Sequence, residues 1–327
     1  RINIADNSFV DLSSLVLVGI LHNDDVTNVL TPLTPGIHGA ISRFTAYVSG
    51  TKVEDIMHYG RTTEQFLRMM PEDVRRNMAS ASGFSMSSGT TAGNAWVINS
   101  LSHEAPGHAL RFTHKPILSG LCNCGTYLPC QFLGAGGLVL EFEFGGAADW
   151  VSTAASTSQN WHISDVSVQA SVININSQLM EAYSAHVLSG KSLLIFFNTF
   201  ACTSSALPDS SDFDVSIARS FTRLCTLFET FTNTGDSTKK EVNEFYSPVA
   251  TTNKDDFQSV LHIGSKRWSD FDRVGSAQHF YYLMQGLGYA NSLVSSANIS
   301  LGAYKSTSAI YCWDCEKVPQ ATMTGYN

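Results

Sequence analysis

The sequence predicts an all-β chain in two strand-rich halves, each a sandwich, barrel or jelly roll, with a few short helices inserted. Three runs predict it. In the first, Leu138, Leu140, Phe142 and Phe144 share one face of an extended chain while Glu141 and Glu143 share the other, the period of two of a half-buried strand. Over 164–175, Val166, Val168, Ala170 and Val172 share a face before the phase slips to Ile173 and Ile175, as at a bulge or sheet corner. Over 218–232, Phe221, Cys225, Leu227 and Phe231 fall on one side and Leu224 and Phe228 on the other. Its β-branched and aromatic content favours strand over helix.

The remaining elements follow along the chain. A first helix is predicted over 53–79, where Glu54, Ile56, Met57, Phe66, Leu67, Met69 and Met70 keep a roughly helical repeat. It is interrupted at Gly60 and restarted at Pro71, a good first-turn residue. The Gly/Ser/Thr-rich stretches 79–93 and 152–159 read as surface loops, with a turn at 233–238. A weaker helix at 178–188 bridges the halves, which meet near residue 190, and a strand is expected over 193–200. Over 276–287, Phe280, Leu283, Met284 and Leu287 follow the i, i+3, i+4, i+7 rule of an amphipathic helix. Further strands are expected only around Val260, Ile299 and Ile310.

With 327 residues the chain suits about two domains, each able to bury its own core. Charged residues are 15% against the roughly 25% of an average soluble domain, so much of the surface is neutral, polar or buried against partners. Twenty Lys+Arg against 28 Asp+Glu give a net charge of -8, and no direct nucleic-acid binding is expected. No apolar run is long enough to span a bilayer as a helix.

Seven cysteines, an odd number, sit in or beside predicted strands and read as reduced thiols without metal. The competing reading joins Cys122 and Cys124 to Cys312 and Cys315 as a zinc site, since CxxC is a spacing zinc uses. It is the weaker one, because CxC is less typical and the pairs lie far apart in sequence.

Catalytic patterns fail on geometry. His103, Glu104 and His108 suggest a relaxed metalloprotease motif, but HExxH needs its histidines four apart on one helical face. Here they are five apart, with Pro106 and Gly107 between them. Ser119 lacks the GxSxG frame of a nucleophile elbow. Asp270 and Asp272, beside Arg267 and Arg273, read as a solvated, self-paired turn. Gly134, Gly136 and Gly137 precede a strand and not the helix that a phosphate loop needs. Trp150, Trp161, Trp268 and Trp313, with Tyr281 and Tyr282, would line a sugar groove in a lectin-like jelly roll. Packing in cores and subunit interfaces is the favoured reading. Asn298 and Ser300 match a glycosylation acceptor, a motif common by chance. No catalytic residue, cofactor or metal is assigned.

Four stretches carry a resemblance. They are RINIADNSFVDLSSLVLVGI with ISRFTAYVSGTKVEDIMHYGR; ILSGLCNCGTYLPCQFLGAGGLVLEFEF with WHISDVSVQASVININ; YSAHVLSGKSLLIFFNTF with ARSFTRLCTLFETF; and VLHIGSKRWSDFDRVGSAQHFYYLMQGLG with DCEKVPQATMTGYN. In this order they resemble the double jelly-roll major capsid proteins of eukaryotic DNA viruses, the polinton-like virus, adintovirus and virophage group. The resemblance spans nearly the whole chain, with Ser269 standing where the family often has proline. It implies two tandem jelly-roll sandwiches, residues 1–188 and 189–327, with a few short inserted helices. It also implies a homotrimer forming a pseudo-hexagonal capsomer of an icosahedral virion capsid assembled inside the infected host cell. The implied partners are neighbouring capsomers and penton and minor capsid proteins, with outer loops open to host-surface contact.

Three other readings stand beside this one: a minor capsid paralogue, a carbohydrate-binding jelly-roll module, and a cupin-like enzyme. The last needs clustered His and Glu ligands, whereas the ten histidines are scattered. Strand candidates after Phe231 fall short of the eight a jelly roll needs. We therefore expect residues beyond Asn327, and before Arg1, to complete the second sandwich.

Overall fold

A computed structural model of the chain describes residues 2–4, 8–88, 96–98, 109–153, 157–208, 210–233, 242–248, 257–269, 271–292 and 296–316. Strand outweighs helix, the strand pairs are antiparallel, and the described helices have at most 12 residues. The chain divides into two compact units. Unit 1 is Arg1–Glu64, Met78–Ser88 and Trp96–Thr203; unit 2 is Gln65–Asn77, Gly89–Ala95 and Ser204–Asn327.

In chain order the first elements are β1 (Ile2–Ile4), β2 (Phe9–Asn23), β3 (Ile41–Val48), β4 (Thr51–Met57), α1 (Tyr59–Met69), α2 (Glu72–Ala81), β5 (Met86–Ser88) and β6 (Trp96–Ile98). β7 (Leu110–His114), β8 (Tyr127–Pro129), β9 (Leu138–Phe144), α3 (Ala147–Trp150), β10 (Trp161–Ile173) and α4 (Ser177–Leu188) follow. One sheet of unit 1 runs β1-β9-β3-β4, and another runs β10-β2-β7 with β8 also on β2. β2 is the spine of the latter. Leu12, Leu15, Leu17 and Leu21 are fully buried, with Val16, Val18 and Ile20 half-buried between them.

β10 carries its irregularities at Ser164/Ser167 and Gln169/Ser171, earlier than the predicted slip at Ile173. Asp165, at the first, has φ 51, a left-handed value that fits an extra residue in one strand. At the second the surplus residues lie in β2, between Asp11 and Val16, and Ser171 N–H donates to Ser14 Oγ at 2.7 Å. In β9 the predicted alternation holds only toward its end. Leu138, Val139 and Leu140 are all buried, while Glu143 is exposed.

The predicted helix over 53–79 is corrected: residues 53–57 belong to β4. Ser49 and Gly50, both at positive φ, turn the chain back, and Ala46↔Glu54 and Phe44↔Ile56 then pair across the hairpin. That pairing overrides the helical spacing. α1 begins only after His58, itself at φ 51, and Gly60 lies inside its first turn instead of interrupting it. Gly is required there, since a Cβ would come within 2.5 Å of the His38 carbonyl. The restart at Pro71 is observed, with Arg75 N–H donating to Pro71 O at 3.0 Å as α2 starts. The predicted loop 79–93 begins inside α2 and holds β5; residues 89–93 lie outside the described residues.

Unit 2 contains β11 (Thr226–Glu229), β12 (Gln258–Ser259), β13 (His262–Ile263), β14 (Lys266–Arg267), β15 (Arg273–Val274), α5 (Gly275–Gly286), α6 (Leu301–Tyr304) and β16 (Tyr311–Asp314). They pair as β11 with β16, β12 with β15 and β13 with β14. The core gathers Phe231, Phe245, Leu283, Tyr304, Ile310 and Tyr311, with Met69 from the end of α1. Aromatic edges interlock in it: Phe231 meets Tyr311 at 5.7 Å and Phe257 at 6.0 Å, both near perpendicular.

Two further expectations are corrected. Residues 193–200 form no strand, and only Thr226–Glu229 of the run 218–232 pairs as one. Alternation alone makes a strand possible; a ladder also needs a partner backbone. Of the predicted turn at 233–238, residues 234–238 lie outside the described residues.

Candidate functional site

The residues singled out in the sequence fall into structural roles or outside the described residues. His103, Glu104, His108 and Asp270 are in the latter group. Ser119 is buried; its hydroxyl donates to the Glu54 carboxylate and accepts from Cys122 N–H at 3.0 Å, while Gly120 N–H donates to Glu54 at 2.8 Å. A β4 carboxylate thus fastens the turn after β7.

Gly136 packs where a Cβ would meet the Ser49–Gly50 backbone at 2.8–2.9 Å, and Gly137 has φ 50 and accepts Ser49 N–H at 2.9 Å. This glycine run therefore closes a turn onto the β3–β4 hairpin.

Asp272 pairs with Arg267 and accepts from Gln258. Arg273 behaves differently from the solvated turn expected of it: it is 6% exposed, with its guanidinium 3.9 Å from the Tyr282 ring centroid and 3.8 Å from that of Trp313. It also donates to the Cys312 carbonyl. Burial lowers its pKa. Trp150 and Trp313 are buried and offer no ring face to a sugar, and Trp268 Nε1 donates to Asp314 O at 2.9 Å. Ser300 caps α6, accepting Ala303 N–H at 3.2 Å, and Asn298 is exposed.

The cysteines of the zinc reading divide between the units, Cys122 and Cys124 in unit 1 and Cys312 and Cys315 in unit 2. All seven cysteines are free thiols. Among the described residues no group of three or more His, Cys, Asp or Glu is arranged to hold a metal ion. Burial pushes Cys122, Cys312 and Cys315 up to about 12, which keeps them almost wholly protonated at neutral pH and slow to react.

Sequence reasoning missed a polar centre inside unit 1. His38 Nε2 lies 3.2 Å from the Glu64 carboxylate, and His114 Nε2 shares a 2.9 Å hydrogen bond with the Tyr59 hydroxyl. The two imidazoles are 6.3 Å apart. Burial, then the neighbouring His38, push the His114 pKa down to about 3; burial raises Tyr59. All four side chains are at most 5% exposed. That burial is suited to packing and poorly suited to binding substrate. These residues carry no motif spacing, and only the folded chain brings them together.

The surface of unit 1 carries the other feature. β10 ends the order of its sheet, and none of its 13 residues is buried. Val166 and Val172 on it are exposed, as are Leu179 and Leu188 on α4. Beyond them Leu194 is 73% and Phe196 79% exposed, while Phe197 and Phe200 line an apolar-walled cleft of about 320 Å³ with Ile117, Gly120, Asn123 and Cys124. Edge strands and apolar residues left bare in this way are features that folded proteins cover.

No protein-family model matches the chain, and no curated protein matches it.

Proposed function

We propose that this chain is a viral major capsid protein of two tandem jelly rolls, divided near residues 188 and 189. Three copies would close a pseudo-hexagonal capsomer of an icosahedral shell. The observation that carries the reading is the bare apolar surface of unit 1, from the unburied edge strand β10 through Leu188, Leu194 and Phe196. Such a surface is costly in water, at roughly 25 cal/mol per Å² of apolar area, and is stabilised when subunits bury it. Antiparallel strands, few helices and 15% charge agree with a shell built by side-to-side packing. The resemblance of four stretches, taken in their order along the sequence, supplies the capsid class. Neighbouring capsomers and penton and minor capsid proteins are the partners in this reading, in the virion capsid.

Sedimentation of the native protein at micromolar concentration, with negative-stain imaging of particles, tests it. A trimer that tiles into shells is the expected result. A stable monomer that never assembles and binds a glycan overturns it.

A further inference from the structure

Cys225 and Cys315 stand opposite each other one step beyond the β11–β16 ladder. Thr226 is the register partner of Asp314, so residue 225 falls across from 315, and Cys315 N–H donates to the Cys225 carbonyl at 2.8 Å. Directly opposed residues of an antiparallel pair project to the same side. In a hydrogen-bonded pair their Cα atoms lie about 5.5 Å apart, with Cβ atoms at the upper end of about 4.5–5.5 Å. A disulfide takes Cα separations of about 4.4–6.8 Å and Cβ separations of about 3.5–4.5 Å. An approach of about one to two ångström closes the bond.

The third nearby cysteine is excluded by strand parity. Cys312 is the partner of Phe228 and projects to the other side of the ribbon, where its Sγ packs on Gly286 of α5. Cys315 Sγ has only a weak contact, to Trp313 O at 3.8 Å. Cys225 is half-buried and so remains within reach of a small reagent.

We propose that Cys225 and Cys315 form a redox-closable pair, which a small-molecule disulfide oxidises to a cross-strand bond locking β11 to β16. The Cys225 thiolate attacks one sulfur of the external disulfide and expels the first small thiolate. Cys315 then loses its proton to solvent and attacks Cys225 sulfur in the mixed disulfide, expelling the second. Two protein thiols are oxidised, one external disulfide is reduced to two thiols, and the two protons end on the leaving thiolates. Burial raises Cys315, so the half-exposed Cys225 acts first and Cys315 resolves. The bond would tie the two strands beside the Phe231–Tyr311 core. The inference is independent of the capsid reading.

The test is a titration of the full chain with reduced and oxidised glutathione, followed by thiol counting under denaturing conditions and non-reducing peptide mapping. We expect the count to fall from seven to five, a peptide pair joined through Cys225 and Cys315, and at least tenfold slower amide exchange in β11 and β16. Cys312→Ser should still lose two thiols. Cys225→Ser, at a half-exposed site that tolerates it, and Cys315→Ala should each lose none. A count that stays at seven overturns the proposal, as does a bond to Cys312 or between two copies, or oxidation that persists in Cys225→Ser.

Discussion

Lowering the pH from 7 to 4 should loosen unit 1 through His114. Its imidazole is enclosed by β7, by the Tyr59 hydroxyl at 2.9 Å and by the His38 ring at 6.3 Å, with Glu64 behind His38. The folded chain holds its pKa down to about 3, against 6.5 in the open chain. The unfolded chain therefore takes up a proton below 6.5 that the folded chain refuses. Stability is full above pH 6.5 and drains as the pH falls toward 3, at about 1.4 kcal/mol per unit. By pH 4 the loss is about 3 kcal/mol. Asp55, held at about 2 chiefly by the hydrogen bond from Arg43, adds its own loss only below its open-chain value of 3.8. Hydrogen exchange of the paired β2 and β7 amides, Leu17 to Leu21 against Leu110 to His114, reads unit 1 alone. Protection there should fall by about two orders of magnitude. His114→Gln keeps an acceptor for Tyr59 and removes the titration, so its slope between pH 6.5 and 4 should be flat. Equal slopes in the wild type and His114→Gln would refute the reasoning.

Unit 2 should respond in the opposite sense. Burial pushes Glu229 up to about 7, so its contribution is complete below pH 4.5 and is lost as the pH rises toward 7. Glu229→Gln should recover up to about 3 kcal/mol at pH 8, read from β11 amide exchange. Gly60→Ala drives a Cβ into the His38 carbonyl and should destabilise unit 1 by about 1–3 kcal/mol despite alanine's helix preference, measured by urea unfolding. Phe245→Ala empties the fully buried centre of unit 2, where Arg68 stacks at 4.8 Å, and should cost about 3–5 kcal/mol in the same assay. If the proposed trimer is built on this surface, Leu194→Ser with Phe196→Ser should shift sedimentation from trimer to monomer without loss of unit 1 protection.

Local pattern recovered what local pattern determines. β9, β10, α4 and α5 were legible because the spacing of their apolar residues sets the element type even where, as on β10 and α4, those residues stay unburied, and the restart at Pro71 because proline fixes a first turn. β4 was misread because Glu54, Ile56 and Met57 fit both a helical and a strand period, and the hairpin at Ser49–Gly50 decides between them. Residues 193–200 alternate like a strand yet join no sheet. The polar centre was invisible for a different reason. His38, Tyr59, Glu64 and His114 meet only through tertiary packing, and a buried histidine looks like an exposed one in sequence. Arg273 was read as a solvated charge because nothing local announces the Tyr282 and Trp313 rings that enclose it.

The pairing of β2 with β10 sets a timetable for synthesis. Ser14 and Ser171, in hydrogen-bond contact across it, are 157 positions apart. β1 likewise waits for β9. At roughly 5–20 residues per second, the leucine-rich β2 leaves the ribosome about 8–30 s before its long partner exists. Until β7 and β8 emerge Leu12, Leu15, Leu17 and Leu21 have no sheet to enter, and for the rest of the interval the β10 side of β2 stays unpaired while nascent chains on one message carry the same segment side by side. The yield of folded chain should therefore depend on chaperone supply during translation, and slowing elongation before residue 173 should lower it.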